Sequence, residues 1–156
     1  MTPAILTAQK AKIDFTVHEY HHEADHPSFG LEAAQKLTVP AQQVFKTLVV
    51  KLDTGQLAVA IVPVEYKLSL KAVANACGAK KAEMADPVEV QRSSGYVLGG
   101  VSPLGQKKML KTVIDQSAQD YPTIYVSGGR RGLEIELKAA DLQKLTRANV
   151  AAISQS

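Results

Sequence analysis

Two apolar runs meeting at a polar turn dominate the middle of the chain. Val44 to Leu52 and Gln56 to Val62 flank Asp53-Thr54-Gly55, the pattern of a hairpin with a short loop whose strands lie centrally in a sheet. Thr16 to Tyr20 alternates as a further strand. Thr123 to Ser127 and Leu133 to Leu137 alternate on either side of Ser127-Gly128-Gly129-Arg130-Arg131-Gly132. Helical signals fall between these segments. Pro3 suits a first helical position, and Lys10 and Lys12 complement the end of a short helix. Gly30 to Leu37 is rich in helix formers and stops before Thr38-Val39-Pro40. Ser69 can cap a helix running through Cys77, with Gly78 as its stop, and Asp86-Pro87-Val88-Glu89 reads as a capping box. Thr112 to Asp115 fits strand or helix by period; a strand is expected, with Asp115 capping a short helix through Asp120. Lys138 to Leu145 predicts a closing helix. Strands and helices interleaved in this way imply an α/β (α+β) chain, a mixed sheet curled towards a barrel with helices packed outside.

Length and charge narrow the picture. At 156 residues and 46% apolar composition the chain can close one hydrophobic core, so one domain over residues 1–156 is expected. The longest uninterrupted apolar stretch, Leu57 to Val64, is far shorter than the roughly 20 residues needed to span a bilayer. Met1 to Leu6 lacks a basic region ahead of an apolar one, and the single cysteine, Cys77, excludes an intrachain disulfide. A cytoplasmic location fits these features. The net charge of +3 favours an anionic partner without identifying it. Lys107, Lys108 and Lys111 crowd one segment, and Arg130 and Arg131 another, both beside glycine-rich turns. They are candidate phosphate contacts or simply a solvated face.

Lys46 is the most informative residue. Alternation places it on the strand face of Val44, Leu48, Val50 and Leu52, where an unpaired ammonium is costly. It must snorkel to an edge, find an acid, or meet an anionic ligand. The loop Gly99-Gly100-Val101-Ser102-Pro103-Leu104-Gly105 and the Ser127 to Gly132 loop could bring backbone N–H groups to a phosphate or oxyanion. Gln106 stands where a phosphate-binding P-loop needs lysine, and Gly128-Gly129-x-x-Gly132 lacks the dinucleotide fingerprint. His18, His21, His22 and His26 lie among acids, but no pair has the helical spacing of a catalytic metal site, and Asp25-His26-Pro27-Ser28 reads as an exposed loop. No metal or other cofactor is expected. Tyr20 and Phe29 suit either core anchors or walls for an adenine ring. There is no G-x-S-x-G elbow, and Cys77, in an alanine-rich helix, reads as a core residue.

Val44-Phe45-Lys46-Thr47-Leu48-Val49-Val50, Gly99 to Lys108 and Ile124 to Leu133, in this order and spacing, resemble the signatures of the bacterial Cys-tRNA(Pro) deacylases of YbaK type. The opening Met1-Thr2-Pro3-Ala4 and Lys80-Lys81-x-Glu83-Met84-Ala85-Asp86 resemble them too. The resemblance implies a mixed, mostly antiparallel, barrel-like sheet wrapped by helices. It also implies removal of cysteine wrongly attached to tRNA(Pro), in partnership with prolyl-tRNA synthetase. The family's essential lysine falls on Lys46, which would contact the terminal nucleotide or the ester oxygens. By the same similarity Tyr20 and Phe29 would line the pocket, Thr47 and Ser127 would contribute hydroxyls, Gly99 and Gly100 would offer backbone amides, and Glu134 falls at an acidic position that varies. Lys107, Lys108, Arg130 and Arg131 would meet the tRNA backbone. The family is thought to use the substrate's own thiol, which leaves with its ester carbonyl as a cyclic thiolactone. Thr47 and Ser127-Gly128-Gly129 favour this branch over alanine-editing relatives, which resemble Lys-Asn and a Gly-His-Pro loop at these places. The alternatives are a deacylase for another mischarged tRNA such as Ala-tRNA(Pro), and a tRNA- or nucleotide-binding module without turnover.

Overall fold

The computed structural model describes residues 1–26 and 28–156; Pro27, in the loop expected to be exposed, lies outside the described residues. The chain begins with α1 (Pro3–Ala11), whose N-terminus is capped by the Thr2 hydroxyl accepting from the Ile5 amide. Strand β1 (Phe15–Glu19) follows, then α2 (Phe29–Leu37), capped by Ser28. The central hairpin forms from β2 (Phe45–Leu52) and β3 (Leu57–Pro63), within a residue or two of the expected bounds. After β4 (Lys67–Leu68) come α3 (Leu70–Ala76) under the predicted Ser69 cap, β5 (Ala82–Met84) and α4 (Pro87–Ser94) under the predicted Asp86 cap. The C-terminal third contributes β6 (Lys111–Asp115), β7 (Ile124–Ser127), β8 (Leu133–Leu137), α5 (Ala139–Thr146), β9 (Asn149–Ala151) and β10 (Ser154–Gln155). Asp115 caps a 3-10 turn over Gln116–Asp120, the short helix expected there.

The strands form a five-stranded sheet in the order β5-β2-β3-β6-β9, a three-stranded sheet β1-β8-β7 and a two-stranded ribbon β10-β4. The hairpin is central, as its apolar runs require. Pairing is mixed: β2 is antiparallel to β3 and β5, while β6 is parallel to β3 and β9. Among the described residues the sheets do not close into a barrel. They curl towards each other, because β7 meets the start of β2 in a parallel bridge between Tyr125 and Val44.

Both faces of the five-stranded sheet are covered, which explains why β3 is apolar without interruption. Phe45, Val49, Val59 and Ile61 face one core with Tyr96, Leu104, Ile124, Ile135 and Leu137. Val50, Leu52, Ala58, Ala60 and Val62 face the other, against Val73 and Cys77 of the α3 region. Cys77 is thus a core residue, as read from its alanine-rich surroundings. A third cluster of Ala33, Ala34, Val44, Val64 and Tyr125 seats α2 on the junction of the two sheets. Close approach there depends on Gly30, since a Cβ at that position would lie 2.2 Å from Val64 Cγ1. No helix of the described residues is long and apolar enough to cross a membrane.

Candidate functional site

The site lies where the start of β2 loses its neighbour. Strand β5 pairs only with Val50, Lys51 and Leu52, so the β2 edge from Phe45 to Leu48 has no strand from β5 against it. A cleft of about 360 Å³ opens there, walled by residues from several segments of the chain. Beta-2 supplies Lys46 and Thr47, β8 supplies Glu134, and β7 ends in it at Ser127. The α2 N-terminus contributes Ser28, Phe29 and Gly30, the loop after α4 contributes Leu98, Gly99 and Val101, and Tyr20 closes the side next to β1. Apolar walls with a few convergent polar groups are the usual make-up of a small-molecule site.

Strand alternation puts Lys46 and Thr47 on opposite faces of β2, yet both border the cleft because it opens at the strand's edge. Lys46 is half-buried, and burial alone depresses its ammonium below the ordinary lysine range; no acid acts on it. It forms no ion pair among the described residues. Of the three explanations open to the sequence, the internal acid partner is therefore removed. The Thr47 hydroxyl is also buried without a partner among the described residues. Glu134 is 7% exposed, and burial, the sole cause, pushes its carboxyl up to about 8. At neutral pH it is a neutral acid able to donate a hydrogen bond. Tyr20, pushed up to about 12 by burial and by the charge Glu134 carries once ionised, stands close to it. The Ser127 hydroxyl accepts from the Gly129 amide at 3.1 Å, leaving its own proton to donate.

The glycine loops divide their work. Gly99, at φ +91°, borders the cleft, and a Cβ there would lie 3.0 Å from Phe29 Cε2. Gly100 turns away from it. Its amide donates to the Val97 carbonyl at 3.0 Å, and a Cβ would meet the Arg130 backbone at 2.7 Å. Its lack of a side chain therefore lets the two glycine loops touch each other.

The four basic residues also separate. Lys107 and Lys108 are exposed and outside the cleft lining, Lys108 bordering a smaller crevice with Thr7 and Leu145. Arg130 is exposed beside Glu19 at 4.0 Å. Arg131 is different: its guanidinium pairs at 3.1 Å with Glu32, which is fully buried, and lies 4.3 Å from the Phe29 ring centroid. Sequence reading passed over Glu32, Ser28, Leu98 and Val101. The one available signal was Ser28 standing before a helical run as an N-cap. Among the histidines, His18 pairs with Glu136 at 2.9 Å and His26 with Gln35 at 3.2 Å. The described residues contain no grouping of three metal-ligating side chains.

A family model for the aminoacyl-tRNA editing domain matches residues 29–145. This chain belongs to that family. The matched span begins at Phe29 and takes in Lys46, Gly99, Ser127 and Glu134. The candidate Cys-tRNA(Pro)/Cys-tRNA(Cys) deacylase EbsC of Enterococcus faecalis is 35% identical over 153 residues, covering 98% of this chain and 93% of that protein. The Bacillus subtilis protein YwhH is 26% identical over 119 residues, covering 76% of this chain and 75% of its own length. A crystal structure of a candidate trans-editing enzyme for prolyl-tRNA synthetase superposes with a TM-score of 0.87 at 24% identity, over 99% of this chain and 96% of that one. That likeness establishes a shared fold. The editing-family fold is thus the mixed sheet with outer helices expected from the motifs.

Proposed function

We propose that this protein is a cytoplasmic trans-editing deacylase that removes cysteine from mischarged tRNA(Pro). The observation that carries the reading is the half-buried Lys46 ammonium, free of any internal acid, on the wall of a cleft shared with Thr47, Ser127 and Glu134. The 35% identity to a candidate Cys-tRNA(Pro)/Cys-tRNA(Cys) deacylase supports the substrate class. Such a second sieve is needed because a pocket fitted to proline cannot reject small amino acids by binding energy alone.

In this reading the terminal adenosine and its aminoacyl ester enter the cleft between Phe29 and Tyr20. The cysteine sulfur attacks its own ester carbonyl. A C–S bond forms, the C–O bond to the ribose breaks, and the thiol proton ends on the departing ribose oxygen, leaving a cyclic thiolactone. Lys46 stabilises the negative charge that develops on oxygen, an effect strengthened by the partly dry site. A protonated Glu134 can donate a hydrogen bond there without setting a second anion against the first. The apolar walls hold the reacting groups near attack geometry. Exposed Lys107, Lys108 and Arg130 face the phosphate backbone, and prolyl-tRNA synthetase presents the tRNA.

The test supplies purified protein with Cys-tRNA(Pro), Ala-tRNA(Pro) and Cys-tRNA(Cys), with Lys46→Ala in parallel. Release of cysteine from tRNA(Pro), lost in the variant, is the expected result. Release of alanine alone would move the assignment to alanine editing, and binding without release would leave a tRNA-binding module.

A further inference from the structure

Arg131 sits two residues past Gly129 in a loop where its charge looks available to a phosphate, but its surroundings say otherwise. Its Nη2 meets Glu32 Oε1 at 3.1 Å, and Glu32 is 0% exposed, out of reach of any macromolecule. The other Glu32 oxygen accepts the Glu23 amide at 2.8 Å. The guanidinium also donates to the carbonyls of Glu23 and Ala24. Its plane carbon stands 4.3 Å from the centroid of Phe29, within cation–π range. One planar cation therefore ties together the β7–β8 loop, the segment before α2 and the first residue of α2. That first residue is the aromatic wall of the cleft, and Gly99 is packed against the same ring.

The pairing is compensated at both terminal nitrogens of the guanidinium, while Arg131 Nε is buried without a partner among the described residues. Although burial opposes it, the Glu32 carboxyl is held below the usual carboxylate range by the Glu23 amide and by Arg131. Both partners are thus charged at neutral pH, and the fork geometry of guanidinium is used on two carbonyls and a carboxylate at once. We infer that Arg131, braced by Glu32, is a positioning residue that fixes the Phe29 ring as the wall against which the terminal nucleoside of the substrate packs. It is not a contact to the tRNA backbone. This rests on the deacylase reading above, and it predicts behaviour a phosphate contact does not share.

Lysine keeps the charge but loses the planar stack and the fork. Arg131→Lys therefore falls about tenfold in kcat/KM for Cys-tRNA(Pro), close to Arg131→Met, whereas a phosphate contact would be largely rescued by lysine. The salt slope of tRNA binding stays at the wild-type value in both variants, while loss of a phosphate contact lowers it by about one. Glu32→Gln reproduces the defect, and the Glu32→Gln/Arg131→Met double variant is no worse than the poorer single one. Phe29 can be followed directly, because the chain has three phenylalanines. In fluorophenylalanine-labelled protein the 19F resonance of Phe29 shifts in Arg131→Lys while those of Phe15 and Phe45 stay in place. That readout holds whether or not the protein turns over substrate, so a wild type inactive on every tRNA overturns the deacylase reading and leaves the positioning claim to the resonance. Arg131→Lys with normal kcat/KM, Arg131→Met with a reduced salt slope, or a Phe29 resonance unmoved in Arg131→Lys overturns the inference, and Arg131→Lys decides it even if Glu32→Gln does not fold.

Discussion

Glu134 and Glu136 are two residues apart on β8, so they share one face of the three-stranded sheet while Leu133, Ile135 and Leu137 point into the core. Their surroundings drive them in opposite directions. Glu136 accepts from the Thr123 hydroxyl at 2.5 Å and meets His18 at 2.9 Å, and these partners hold its carboxyl below the usual range. Glu134 faces the cleft, buried and with no hydrogen-bond partner for its carboxyl among the described residues, and is pushed up to about 8. The outer end of the strand is satisfied from within the protein. The inner end, with Lys46 and the Thr47 hydroxyl, is left for something from outside. Polar groups that a fold buries and does not pair cost stability, and they are the mark of a binding or catalytic site.

The contrast can be broken at its functional end first. Lys46→Ala should lower kcat on the cognate mischarged tRNA about a hundred- to a thousandfold, the range for removing one oxyanion-stabilising group. Its melting temperature should equal or exceed that of the parent, since a desolvated ammonium is removed. A deacylation time course beside a thermal melt measures both, and a large loss of stability would show the lysine to be structural.

Glu134→Gln tests the raised acid. Between its ordinary value near 4.5 and about 8 the native protein keeps a proton that the unfolded chain has released, so wild-type stability declines as pH rises through that window. The glutamine variant lacks this decline. The two should be alike at about pH 5, with the variant more stable above pH 8 by on the order of 3 kcal/mol. Urea melts across the range settle the sign.

Glu136→Gln should give the mirror image with a smaller amplitude. The depressed carboxyl of Glu136 stabilises the native state above its ordinary value, and that stability is lost as pH falls through its folded value. The wild type should lead near neutrality by about 0.5–1 kcal/mol, discounted because both partners are partly exposed, and the gap should close in acid. Parallel pH profiles for the two glutamine variants would abolish the distinction between the two ends of β8. Smallest of all is Thr47→Val. Removing a buried hydroxyl without a partner should leave denaturant stability unchanged or raise it by up to about 1 kcal/mol, while deacylation slows.

Much of this was legible in order along the chain, because the signals are local. The central hairpin needs only two apolar runs and an Asp53-Thr54-Gly55 turn, and the caps at Ser69, Asp86 and Asp115 lie beside the helices they start. The strands β4, β5, β9 and β10 are two or three residues long, and their pairing comes from distant segments, such as Ser154 against Leu68 or Asn149 against Val113. Nothing within such short runs marks them as strands. The buried Asp115 carboxylate that accepts the Ile153 and Ser154 amides, anchoring the C-terminus, read only as a helix cap.

At the site the same division holds. Motif resemblance and the odd position of a lysine on an apolar strand face were enough to name Lys46, Thr47 and Ser127 as candidates from residue order alone, with Glu134 only as a variable acidic position or a plain strand carboxylate. Which cations meet solvent was not readable, since Arg130 and Arg131 are neighbours of equal charge, and only the fold turns one outward and the other onto Glu32 and Phe29. Side-chain alternation and capping act over a few residues and are written in composition and spacing. Desolvation and pairing depend on what the rest of the chain brings within a few ångströms, so the titration of Glu134, the freedom of Lys46 and the commitment of Arg131 were decided by tertiary structure.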